Sequence, residues 1–139
     1  MNGDPWNLQR FVSAQDVVYD RVCEELRAGR KSSHWIWFIF PQIAGLGLSM
    51  MSARYSISSL TEARAYVAHP ILGLRLRECV GLALAAPGTA PSIFGSLDAT
   101  KLRSSMTLFS HAAPDDPIFR AALDRFFGGE EDPRTLALF

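Results

Sequence analysis

Apolar residues recur along this chain mostly at helical spacing. From Asp16 onward, Val18, Tyr19, Val22, Cys23 and Leu26 fall on one helix face, with Asp20, Arg21, Glu24 and Glu25 opposite. Gly29 then supplies the residue for a left-handed cap. Ser59 and Glu62 have capping-box spacing and open a short helix, Leu60 to Ala68, stopped at His69-Pro70. Between Pro70 and Ala86, Leu72, Leu76, Cys79, Val80 and Ala83 form an inward stripe, and Arg75, Arg77 and Glu78 form the wet side. Pro87-Gly88 breaks the pattern, and Pro91 to Gly95 reads as a single turn. Asp98 is placed to cap a helix carrying Leu102, Met106, Phe109 and Ala113, closed by Pro114. Asp116-Pro117 and Asp132-Pro133 each read as N-cap followed by N1 proline. They open helices over Ile118–Phe127, ended by Gly128-Gly129, and from Pro133 to Phe139. Trp35 to Phe40 is rich in β-formers and suits one short strand. Period-two alternation is otherwise scarce, so the expected architecture is a mostly α, compact bundle of about six or seven short helices with little or no sheet.

Composition adds bounds to this picture. The 139 residues are enough for one domain, 1–139, with no linker or repeat, and 48% hydrophobic with 20% charged residues is ordinary globular usage. Fourteen basic residues balance fourteen acidic ones, which gives long-range attraction to nucleic acid or an anionic membrane little to act on. Cys23 and Cys79 lie far apart and outside any Cys-x-x-Cys pair, so reduced core thiols in a cytoplasmic protein are expected. Met1 to Trp6 lacks the basic and apolar runs of a signal peptide. The uncharged stretch between His34 and Ala53 is interrupted by Pro41, Gln42, Gly45 and Gly47 and falls short of the ~20 residues a membrane span needs.

Two segments carry candidate chemistry. In the first, Arg27, Arg30, Lys31 and His34 run into Trp35, Trp37, Phe38 and Phe40. Cations beside aromatic faces suit a ligand joining phosphates to a flat base, although a tryptophan–phenylalanine run is equally good core. Gln42 is an uncharged polar group inside this apolar stretch and must find a partner. Gly45 and Gly47 follow without the strand-to-helix context of a dinucleotide fingerprint. Arg54 and Tyr55 add a guanidinium and a phenol. The second segment runs from Lys101 to Phe109. Lys101 and Ser105 sit one turn apart beside the apolar stripe, with Ser104 between them and Arg103 and Thr107 toward solvent. His34, His69 and His111 are too widely spaced for a metal site, and no cofactor motif is present.

These stretches carry a resemblance. Asn7-Leu8-Gln9-Arg10-Phe11, Lys31-x-x-His34-Trp35-x-Trp37-Phe38-x-Phe40-Pro41-Gln42, Gly45-Leu46-Gly47, Tyr55, Glu62-Ala63, His69-Pro70, Phe94-Gly95 and the run from Lys101 to Phe109 resemble the domain-of-unknown-function-1810 family. The resemblance covers nearly the whole chain and implies a single, mostly helical domain without implying an activity. A more distant similarity is to the NADAR proteins, helical domains associated with ADP-ribose chemistry, whose acidic catalytic position has no counterpart evident in this sequence.

The residues thus point to a cleft for a nucleotide or ADP-ribose-like small molecule, with hydrolysis of an N-glycosidic bond as the reaction class. Lys31 and Arg54 would meet phosphate, Trp35 or Trp37 would stack, Gln42 would orient the ligand, Tyr55 would offer its phenol, and Lys101, Ser104 and Ser105 would close the site from the other helix. His34 is the acid/base candidate because imidazole titrates near neutrality, with Lys31 beside it. The competing expectation is a non-catalytic protein-interaction module with the aromatic segment as core. The two diverge on whether Lys31 and Lys101 face one cleft.

Overall fold

Most helix ends fall where capping chemistry puts them. In the computed structural model, which describes residues 3–139, Ser59 caps α4 (Leu60–Ala68) by accepting from the Glu62 N–H. Asp116 and Asp132 cap the proline-initiated α8 (Pro117–Phe127) and α9 (Pro133–Leu136). Helix α1 (Gln9–Arg27) ends in a Schellman arrangement, with Arg30 N–H on the Glu25 carbonyl, Gly29 N–H on the Leu26 carbonyl, and Gly29 at φ +70°. Met1 and Asn2, the start of the stretch read above for a leader, lie outside the described residues.

The expected helices are present, with several corrections. Helix α1 starts at Gln9, ahead of Asp16, because the Asp4 carboxylate accepts from the Leu8 and Gln9 N–H groups and holds the first turn. Trp35 to Phe40 is not a strand. It curls into the short helix α2 (Ile36–Ile39), with Phe40 N–H on the Ile36 carbonyl. The sheet expected to be small reduces, among the described residues, to one parallel bridge between Ile43 and Ile57, so a strand at Trp35–Phe40 would have no ladder to join. Helix α5 (Leu72–Ala85) follows His69, whose Nδ1 accepts from the Ile71 and Leu72 N–H groups. Thr89 and Ser92 form a reciprocal capping box for α6 (Ala90–Phe94), and Ser49 caps α3 (Met50–Arg54). Asp98 is no cap. Helix α7 (Ser96–Ala112) begins directly after Gly95, which frees the Asp98 carboxylate for other partners. Helix α9 stops at Leu136 rather than Phe139.

Helix α7 is the central element, packing against α2, α4, α6, α8 and α9, while α1 packs on α5 and α2. The core takes Leu102, Met106, Leu108 and Phe109 from α7, Phe11, Val22 and Leu26 from α1, and Trp35, Ile36, Phe38 and Ile39 from the α2 segment. Arg10 ties the edge of this core together. Its guanidinium donates to the carbonyls of Trp6, Asn7, Arg54 and Ser56 and pairs with buried Glu62 at 3.1 Å. Among the described residues, no helix is long and apolar enough to cross a membrane.

Candidate functional site

The loop from Lys31 to Trp35 leaves α1 and is held by one side chain. Glu25 was expected on the wet face of α1 but is buried. Its carboxylate accepts from Ser32 N–H (2.7 Å), Ser33 N–H (3.0 Å), Ser33 Oγ (2.6 Å) and Trp35 Nε1 (3.0 Å). Burial alone would raise its pKa, but the four hydrogen bonds outweigh that and hold it at about 2. Lys31 N–H also donates to the Ile93 carbonyl at 2.7 Å, fastening the loop to α6. Lys31 and His34 therefore project from a fixed backbone.

Lys31 and Lys101 do face one cleft. Lys31 Nζ reaches Asp98 Oδ2 at 2.7 Å, and Lys101 Nζ reaches Asp98 Oδ1 at 3.2 Å. The Lys31 side chain is only 6% exposed, so this pair is shielded well beyond an ordinary surface ion pair. Trp37 is half-buried with Lys101 Nζ 5.3 Å from its ring centroid, leaving it partly open to the cleft. His34 is exposed at the same mouth.

Three adjoining cavities make up the cleft. One of about 530 Å³ lies between Lys31, His34, Trp37, Asp98 and Lys101. A second of about 370 Å³ lies between Gln42, Lys101, Arg103, Ser104, Asp132 and Arg134. A third of about 180 Å³ lies between Trp37, Gln42, Gly45, Ser52, Tyr55 and Ser56. Trp37, Gln42 and Lys101 each belong to two of them and mark where they meet. The Gln42 backbone carbonyl is taken by Ile57 N–H, while its side-chain amide has no hydrogen-bond partner among the described residues.

The remaining candidates divide. Tyr55 is buried with its ring near Phe11 and Phe38, and it forms a wall of the smallest cavity. Trp35 is 1% exposed and hydrogen-bonded to Glu25, so no face of it is open for stacking. Arg54 is exposed, lies 5.5 Å over the Tyr55 ring and lines none of the three cavities. Ser104 is buried and donates to Asp132, touching the second cavity from behind. Ser105 points into the core, fully buried, and its hydroxyl has no partner among the described residues. A lysine–serine nucleophile pair on α7 is thereby ruled out, because Lys101 faces the cleft and Ser105 the interior.

Sequence reasoning missed Asp98, Arg103 and Arg134 as cleft residues. Asp98 sits one helical turn before Lys101, an acid–base spacing that marks a pair as readily as a cap. Arg103 was assigned to solvent, and Arg134 reaches the cleft from the carboxyl-terminal turn, with no local pattern to announce it. Asp132 holds that turn against α7. Its N–H donates to Thr107 Oγ1, and its carboxylate accepts from Ser104 Oγ, Thr135 Oγ1 and Arg134 N–H. Burial raises the Asp132 pKa, yet the bonds from Thr135, Ser104 and Arg134, with the nearby Arg103 charge, bring it below the ordinary value. Among the described residues, no group of three or more histidine, cysteine, aspartate or glutamate side chains could hold a metal ion.

The fold and cleft define a small helical protein with a polar groove between a loop and its central helix. The chain belongs to the family described as Protein of unknown function (DUF1810), whose profile matches residues 5–139. It is similar in structure to the conserved hypothetical protein Rv1873 from Mycobacterium tuberculosis, with a TM-score of 0.96 and 54% sequence identity over 98% of each chain. No curated protein matches the chain significantly.

Proposed function

We propose that the chain binds a nucleotide or ADP-ribose-like small molecule in the groove between the Lys31–Gln42 segment and α7. The observation that carries this reading is the convergence of Lys31 and Lys101, from distant parts of the chain, on Asp98 beside the open part of Trp37. Cations meet phosphate, an indole face takes a flat base, and the Gln42 amide, without a partner among the described residues, offers both a donor and an acceptor for orientation. Trp37 is the stacking residue of this scheme, since Trp35 is enclosed.

The hydrolytic extension of the reading rests on Asp98 and His34. A carboxylate can stabilise the oxocarbenium-like charge that develops as an N-glycosidic bond breaks, and an exposed imidazole can move the proton. Asp98 supplies the acidic group that the sequence alone did not point to. Thermal-shift measurements with ADP-ribose, NAD and common nucleotides test the binding step. Saturation at a hundred times the dissociation constant adds ~2.7 kcal/mol of stability.

A protein-interaction module is the second reading, favoured by Leu48, Met50 and Leu97, which are exposed near the groove. It is preferred if no nucleotide shifts the transition and Lys31→Ala and His34→Ala behave as wild type.

A further inference from the structure

The cavity of about 370 Å³ gathers cations from two distant parts of the chain. Lys101, Arg103 and Arg134 line it against a single carboxylate, Asp132. The Asp132 oxygens already accept from Thr135 Oγ1, Ser104 Oγ and the Arg134 N–H, so the carboxylate braces the turn while its charge lies near Arg103. Arg103 spends Nε and Nη2 on the carbonyls of Glu130 and Glu131, and its carboxylate neighbour, Glu130, lies 3.7 Å away and is mostly exposed. Arg134 makes one long bond, Nη2 to the Leu46 carbonyl at 3.3 Å. Its other donors meet no acceptor among the described residues, and it has no ion pair there. A guanidinium without an ion pair among the described residues, lining one cavity with Arg103 and Lys101, is a ready anion receptor.

We infer that this cavity is a subsite for a phosphate or pyrophosphate group, gripped by Arg134, Arg103 and Lys101. Lys101 pairs with Asp98 and Arg103 lies near Glu130, whereas Arg134 has no carboxylate partner among the described residues, and its guanidinium fork fits two oxygens of one phosphate. Gln42 and Ser52 line the same space with an amide and a hydroxyl, further donors for an oxyanion. The subsite rests on the nucleotide reading and gives it a direction. The charged part of the ligand lies toward the carboxyl-terminal turn, and the flat part lies toward Trp37, with Lys101 between them.

Isothermal titration of the full-length protein with inorganic pyrophosphate at low ionic strength tests the subsite. Wild type is expected to bind, and Arg134→Glu to bind at least about tenfold more weakly. Arg64→Glu makes the same charge change at an exposed residue lining none of the three cavities, and is expected to leave binding unaltered. Because the Arg134 side chain is exposed and, among the described residues, hydrogen-bonds only to the Leu46 carbonyl, its variant should keep the wild-type circular dichroism spectrum, and Arg134→Lys should recover part of the affinity. No binding by wild type, or equal weakening by the Arg134 and Arg64 variants, overturns the subsite. Parallel titrations with ADP-ribose separate the two claims. Pyrophosphate binding through Arg134 without ADP-ribose binding leaves the subsite standing and removes the nucleotide reading. ADP-ribose binding that Arg134→Glu leaves unchanged does the reverse.

Discussion

Replacing Glu25 by glutamine should remove a pH-dependent part of the protein's stability and little else. Glu25 Oε1 accepts three N–H bonds, from Ser32, Ser33 and the Trp35 indole, and Oε2 accepts from Ser33 Oγ. A glutamine oxygen at the first position keeps the three N–H bonds, and the Ser33 hydroxyl can turn to accept from the amide nitrogen. What the variant lacks is the titration. The carboxyl is displaced from 4.5 to about 2, which corresponds to about 3 kcal/mol of linkage. Because the folded value is the lower one, this stability is fully present above the unfolded value of 4.5 and is lost as pH falls toward the folded value. About 0.8 kcal/mol of it should be gone at pH 4 and about 2 kcal/mol at pH 3. Urea unfolding of both proteins at pH 7, 4 and 3, followed by far-ultraviolet circular dichroism, isolates the contribution, since every other carboxylate titrates alike in the two. The stability difference between wild type and variant should fall by about 2 kcal/mol from pH 7 to pH 3. A difference that stays constant would refute the claim that a buried, ionised Glu25 organises the Lys31–Trp35 loop.

Gly73→Ala should destabilise by about 3 kcal/mol in thermal or urea unfolding, because a Cβ there would lie 2.1 Å from the Val67 carbonyl oxygen, where α5 crosses the end of α4. Ser105→Ala should be neutral or stabilising by up to about 1 kcal/mol, since it removes a buried hydroxyl with no partner among the described residues. A loss of ligand binding in that variant would instead return Ser105 to the site. Arg10→Ala should cost about 3 kcal/mol by leaving the buried Glu62 carboxylate without its cation, held only by the Ser58 N–H and hydroxyl. Arg10→Lys should recover only part of that, because an ammonium cannot reach the same spread of carbonyls; equal stability of the two variants would count against the guanidinium's bridging role.

The sequence exposed the fold through punctuation. Asp116-Pro117, Asp132-Pro133, Ser59 and Gly29 act locally, through one or two backbone groups, and the structure uses each at its expected place. Trp35 to Phe40 misled because β propensity is only realised where a neighbouring strand accepts the ladder, and none is present there among the described residues. Glu25 departs from the expected wet face for a related reason. A carboxylate at the end of a helix looks like solvent chemistry until the following loop folds back and brings four donors to it. At the site, Lys31, His34, Trp37, Gln42 and Lys101 were legible because they are polar or amphipathic groups flanking apolar runs. The rest was set by long-range packing. Arg134 meets Arg103 only because Asp132 pins the last turn to α7, and Trp35 turns inward because Glu25 accepts its indole N–H.

The proposal that the groove takes a nucleotide-like ligand is tested most directly by mapping the bound molecule on the protein. In a titration of isotopically labelled full-length chain with ADP-ribose, followed by amide and indole resonances in nuclear magnetic resonance spectra, the largest shifts should cluster on Trp37, Gln42, Gly47, Lys101 and Arg134. The Trp35 indole, enclosed against Glu25, should move far less than that of Trp37. Shifts that are absent at saturating ligand, or that gather on another face of the helices, would contradict it.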